Sequence, residues 1–155
     1  MESEQMYGLK GEVSDEEDFI IPIGKGKIKR EGSDVTLVAH GKMYHLAVQA
    51  ANELAKDGIE CEIIDPRTVK PLDLELILQS VKKTNRCIVI DEAHPFAGFA
   101  AEIGFLIQRE AFDYLDAPVL RVCLPDVNAP FSKPLFDAWL PSPKQIIDAV
   151  KQVSY

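Results

Sequence analysis

At 155 residues, 46% of them hydrophobic, the chain has the length of one domain with a single core. It holds no run of roughly 18 apolar residues for a membrane helix and no basic-then-apolar leader. Its net charge of -8 argues against nucleic acid or an anionic membrane as partner. That charge is concentrated: residues 1–18 carry seven acids and one base, Lys10, whereas the remainder has 18 acids against 16 bases and is nearly neutral.

In chain order, residues 1–18 are polar, acidic and without an apolar period, and read as an extended linker ahead of a body spanning 19–155. Residues 23–30 follow Pro22 and contain Gly24 and Gly26, a composition suited to an edge strand. VTLVA (35–39) reads as a buried strand. Residues 44–56 have apolar positions at helical spacing and end before Gly58, a helix-terminating glycine. CEIID (61–65) is the next strand, and Leu72 to Val81 the next helix, with Asp73 as its N-cap. CIVID (87–91) is a third buried strand, 98–112 a helix and VLRVCL (119–124) a fourth strand. The last helix covers about 142–152, with Ser142 as N-cap and Pro143 at its first position. Continuous apolar strands alternating with helices predict an α/β three-layer sandwich, its sheet mostly parallel with one edge strand from 23–30.

The chemical motifs are sparse. No GxGxxG and no GxxxxGK[ST] occurs. His40-Gly41-Lys42 stands at a strand end where α/β folds often bind ligands, but a turn glycine beside a solvated lysine is the favoured reading. The three histidines, His40, His45 and His94, lack zinc-site spacing. Cys61, Cys87 and Cys123 lie inside apolar runs without a CxxC, as buried reduced thiols do. Asp91, Glu92 and His94 close the third strand before Pro95 and Gly98. They are either an acid–base pair or a strand-to-helix corner tied to a loop base such as Arg67. Asp116, in the turn after a helix, opposes that helix's dipole; a basic partner would give it a reason, and a solvated turn acid is the alternative.

Several blocks in one register, IPIGKGKIKREGSDVT, CEIIDPRTVKPLD, SVKKTNRCIVIDE, FAGFAAEI and AFDYLDAPVLRV, resemble one family from about Met6 to the C-terminus. It is the beta subunit of the thiamine-diphosphate-dependent decarboxylase component of 2-oxo acid dehydrogenase complexes, pyruvate dehydrogenase foremost. The resemblance implies a transketolase C-terminal domain with a five-stranded mixed sheet and one antiparallel edge strand. It makes residues 1–18 an interdomain linker, and the chain a C-terminal domain whose companion domain lies elsewhere. It implies thiamine diphosphate in the full enzyme, not bound by this domain alone, and no decarboxylase activity for the domain by itself. It implies three partners: a second beta subunit across a two-fold axis, an alpha subunit, and the subunit-binding domain of the dihydrolipoamide acyltransferase. Asp116 and the Tyr155 carboxylate match the family's docking positions. Arg67, Asp91, Glu92, His94 and Phe96 become interface or loop-holding residues, His94 replacing the tryptophan of many relatives. The implied compartment is bacterial cytoplasm or mitochondrial matrix. Branched-chain 2-oxo acid and acetoin dehydrogenases have similar beta subunits, and a stand-alone α/β nucleotide-binding domain using His40 or His94 is the competing class.

Overall fold

The computed structural model describes residues 4–154. Five strands, β1 (Lys27–Arg30), β2 (Val35–Ala39), β3 (Cys61–Asp65), β4 (Cys87–Ile90) and β5 (Leu120–Val122), form one sheet in the order β1-β3-β2-β4-β5. Only β1 runs antiparallel, along β3; the pairs β3–β2, β2–β4 and β4–β5 are parallel. Around the sheet lie α1 (Lys42–Lys56), α2 (Leu74–Thr84), α3 (Phe99–Ala111), α4 (Lys133–Trp139) and α5 (Pro143–Val153).

The layering follows from the period-2 geometry of the strands. Val35, Leu37 and Ala39 of β2 point into a core shared with Met43, Ala47 and Leu54 of α1 and Ile146 and Val150 of α5. Val38 points into the opposite core, with Ile77 and Val81 of α2 and Ile103 and Ile107 of α3. Every residue of β2 and β4 is buried, which is why both read as unbroken apolar runs.

Helix ends show which sequence signals hold. Ser142 caps α5: its hydroxyl accepts from the Gln145 N–H at 3.4 Å, and its own N–H donates to Gln145 Oε1 at 2.8 Å. Gly58 follows α1 with φ +79° and donates to the Ala55 carbonyl. Asp73 precedes α2, but its carboxylate does not bond the helix; it accepts the Gly26 N–H at 3.1 Å and fixes the approach to β1.

Some boundaries differ from the sequence reading. β1 starts at Lys27 rather than residue 23, α1 at Lys42, and α2 runs to Thr84. A single 3-10 turn, Glu4–Met6, stands in the acidic stretch expected to be extended. The short helix α4 lies outside the elements that the sequence predicts.

Beneath the sheet, at the N-terminal ends of β2 and β3, lies a buried polar network. Glu62 is 1% exposed. It accepts Ser80 Oγ at 2.5 Å and the Lys83 ammonium. The Thr36 hydroxyl lies 2.7 Å from both Ser80 Oγ and Thr84 Oγ1. Each group is satisfied by a neighbour, as a buried polar cluster requires.

Candidate functional site

The parallel strands end together at one edge, and the chain reverses direction in the sheet between β2 and β4, where α/β crevices form. A cavity of about 890 Å³ opens there. His40 follows β2 and Asp91 follows β4, so parallel pairing of these strands sets the two residues side by side. His40 Nε2 stands 3.3 Å from Asp91 Oδ1, off line for a hydrogen bond. Asp91 is 3% exposed, and its Oδ2 accepts the Ala100 N–H at 3.1 Å. The carboxylate thus faces the positive end of α3, a favourable placement. The Phe99 ring meets His40 edge-on at 5.5 Å.

Backbone geometry tightens the same corner. A Cβ on Gly98 would stand 2.3 Å from the His94 carbonyl oxygen, so only glycine lets the turn into α3 close. His94 turns away from Asp91. Its Nδ1 lies 3.2 Å from the Pro125 carbonyl and 3.9 Å from Asp126 Oδ1, and its ring faces Trp139 of α4. Arg121 donates to the Pro95 carbonyl at 2.6 Å. Asp91 and His94, neighbours in sequence, therefore do not form an acid–base pair.

Among the described residues Arg67 forms no ion pair with this corner. Its backbone is left-handed, φ +58°, and its N–H donates to Asp65 Oδ1, while the Asp91 oxygens meet His40 and the Ala100 N–H. Glu92 lines the cavity, and Phe96 is 83% exposed. No serine, threonine or cysteine lines the cavity among the described residues. Burial pushes the Cys61 and Cys87 thiols up to about 12 and raises that of Cys123 as well, which keeps all three from acting as thiolates.

The cavity does not suit a diphosphate. Lys42 and His40 are offset by Asp91 and Glu92 on the same wall. Among the described residues, no three His, Cys, Asp or Glu side chains cluster to hold a metal ion.

The second candidate lies at the opposite edge, around Asp116. The Arg86 guanidinium reaches Asp116 Oδ2 at 3.2 Å through Nη2, and its Nε donates to the Val153 carbonyl at 2.7 Å. The Asp116 N–H donates to the Asn85 carbonyl at 2.9 Å, and Asn85 Nδ2 donates to the Tyr114 carbonyl at 2.7 Å. Asp116 therefore has a cation inside its own chain, which the sequence reading sought only outside it. Its side chain is still 57% exposed. Tyr155 lies outside the described residues. Arg86 and the Val153 carbonyl were missed. The only signal for Arg86 was a base just before a buried strand whose neighbour in the sheet is the strand after Asp116.

Residues 24–146 match the family described as the transketolase C-terminal domain. The acetoin:2,6-dichlorophenolindophenol oxidoreductase subunit beta of Bacillus subtilis is 45% identical over 152 residues, 98% of this chain and 44% of that protein. The pyruvate dehydrogenase E1 component subunit beta of Rickettsia felis is 47% identical over 155 residues, 100% of this chain and 47% of that protein. A solved split-gene transketolase, described as an inactive beta4 tetramer, superposes with a TM-score of 0.75 at 28% identity, over 88% of this chain and 43% of that one. The chain thus spans less than half the length of these relatives.

Proposed function

The chain belongs to the transketolase C-terminal domain family, and from that premise we propose that it is the assembly domain of the beta subunit of a 2-oxo acid dehydrogenase, pyruvate dehydrogenase first. The full enzyme would decarboxylate pyruvate oxidatively and pass the acyl group to lipoyl groups. Thiamine diphosphate would be held by the beta subunit's other domain together with an alpha subunit. Residues 1–18 would serve as the interdomain linker and 19–155 as the domain, acting in bacterial cytoplasm or mitochondrial matrix.

The observation that carries this reading is the Asp116 corner: an exposed acid held beside the negative end of α5, a surface suited to a basic domain. With the Tyr155 carboxylate it would dock the subunit-binding domain of the acyltransferase. Exposed Phe96, Phe105 and Phe112 give an apolar surface for the second beta subunit. Asp91, Glu92 and His94 serve the corner that carries Phe96, with Asp91 pinning the start of α3 and His94 pinning the Pro125 loop.

The Bacillus subtilis relative, at 45% identity, supports an acetoin dehydrogenase beta subunit as a second reading with the same domain role. A thermal-shift screen with thiamine diphosphate, nucleotides and 2-oxo acids separates an assembly domain from a stand-alone binding domain. No ligand is expected to raise Tm. Concentration-dependent stabilisation by one of them would overturn the assembly reading, because a ligand stabilises the state it binds.

A further inference from the structure

Resting on the docking reading above, we propose that Arg86 is the positioning residue that presents Asp116 and the C-terminal end of α5 to the basic partner as one acidic surface. Three contacts carry this. The guanidinium Nη2 stands 3.2 Å from Asp116 Oδ2 as an ion pair, off line for a hydrogen bond, and its Nε donates to the Val153 carbonyl at 2.7 Å. The Nε bond to Val153 fixes the plane of the guanidinium and so sets its charge beside Asp116, which a freely rotating lysine ammonium does not do. The backbone of the same turn is tied to the residue before Arg86, since the Asp116 N–H donates to the Asn85 carbonyl. Asp116 is thus fixed through main chain and side chain by consecutive residues, an acid ordered before its partner arrives. Pre-ordering of this kind lowers the entropy cost of binding.

The arrangement also contains an opposition that makes it testable. Arg86 is only 23% exposed while Asp116 is 57% exposed, so the cation sits behind the acid and leaves its outer side open to a second cation. The positive charge nevertheless weakens the long-range pull on a basic partner. Removing it is expected to speed encounter, which follows net charge, and to shorten the lifetime of the complex, which follows short-range geometry.

The experiment measures association and dissociation rates of the acyltransferase subunit-binding domain on immobilised chain, for wild type, Arg86→Gln, Arg86→Lys and Asp116→Ala. Three-bond couplings of Asp116 in the free chain report whether its χ1 is fixed. Arg86→Gln is expected to raise the association rate up to about twofold, raise the dissociation rate about tenfold and average the Asp116 rotamers. Arg86→Lys keeps the charge and is expected to leave association unchanged while still quickening dissociation several-fold. A merely structural role would instead reduce the binding-competent fraction with rates unchanged, and would overturn the proposal. Binding that weakens in Asp116→Ala but keeps wild-type rates and one Asp116 rotamer in Arg86→Gln would overturn the positioning role alone. Absence of wild-type binding, or indifference to Asp116→Ala, would overturn the docking reading and the presentation with it.

Discussion

Gly32→Ala is expected to destabilise the domain by about 3 kcal/mol or more, the upper range for overpacking. Gly32 sits where the chain crosses from β1 to β2, directly against the start of β3. A Cβ there would lie 2.2 Å from the Cys61 carbonyl carbon, 2.3 Å from the Glu62 nitrogen and 2.6 Å from the Cys61 oxygen. All three are backbone atoms of a strand paired on both sides, so no flexible side chain can give way. The crossing is also anchored on both sides of the clash. Ser33 and Asp34 donate their N–H groups to the Glu60 carbonyl, and the Gly32 N–H approaches Glu62 Oε2 at 3.4 Å. Gly8→Ala is the control, since a Cβ there meets nothing within 4 Å, and its expected change stays within about 0.5 kcal/mol. Urea unfolding compares the two; a Gly32→Ala loss below about 1 kcal/mol would contradict the packing.

Glu62→Gln is the second large effect, about 2–4 kcal/mol at neutral pH. Burial alone would raise the Glu62 carboxyl, but hydrogen bonds from Lys83 and Ser80 outweigh it and hold the group below its ordinary value of 4.5. The sign follows from linkage. A carboxyl with a depressed folded value contributes stability that is present above about pH 4.5 and is lost as pH falls through the folded value. The amide keeps an acceptor for Ser80 but removes the charge facing the Lys83 ammonium. Lys83 is itself about half exposed, and water at its outer side limits the loss to the stated range. Wild type is therefore expected to lose stability on acidification more steeply than Glu62→Gln, with the gap between them closing at low pH. Equal acid-side slopes would contradict the account of this network.

The fold was legible wherever a local signal and the tertiary environment agree. VTLVA reads as a buried strand because both faces of β2 are covered. Ser142 and Pro143 mark the start of α5 because the serine hydroxyl accepts one free helix-end N–H and the proline has none to leave unpaired. α4 was illegible because KPLFDAW is seven residues long and none of its described side chains is buried, so it leaves no apolar stripe in the sequence; Trp139 reaches back to the Val127 carbonyl at 3.3 Å. The site was less readable than the fold. His40 and Asp91 meet only because β2 and β4 are neighbours, and strand order is not a local property of sequence. For Asp116 the sequence left two readings open, an acid awaiting a basic partner and a solvated turn acid. Finding its cation in Arg86 required knowing that the turn before β4 lies against the turn before β5.

The docking role is tested most directly by calorimetric titration of the chain with the acyltransferase subunit-binding domain, repeated with Asp116→Ala. The account predicts saturable binding to wild type and an affinity about 10- to 150-fold weaker in the variant, the equivalent of one charge-assisted contact of about 1.5–3 kcal/mol. Folded chain that shows no heat of binding, or equal affinity in the variant, would contradict it.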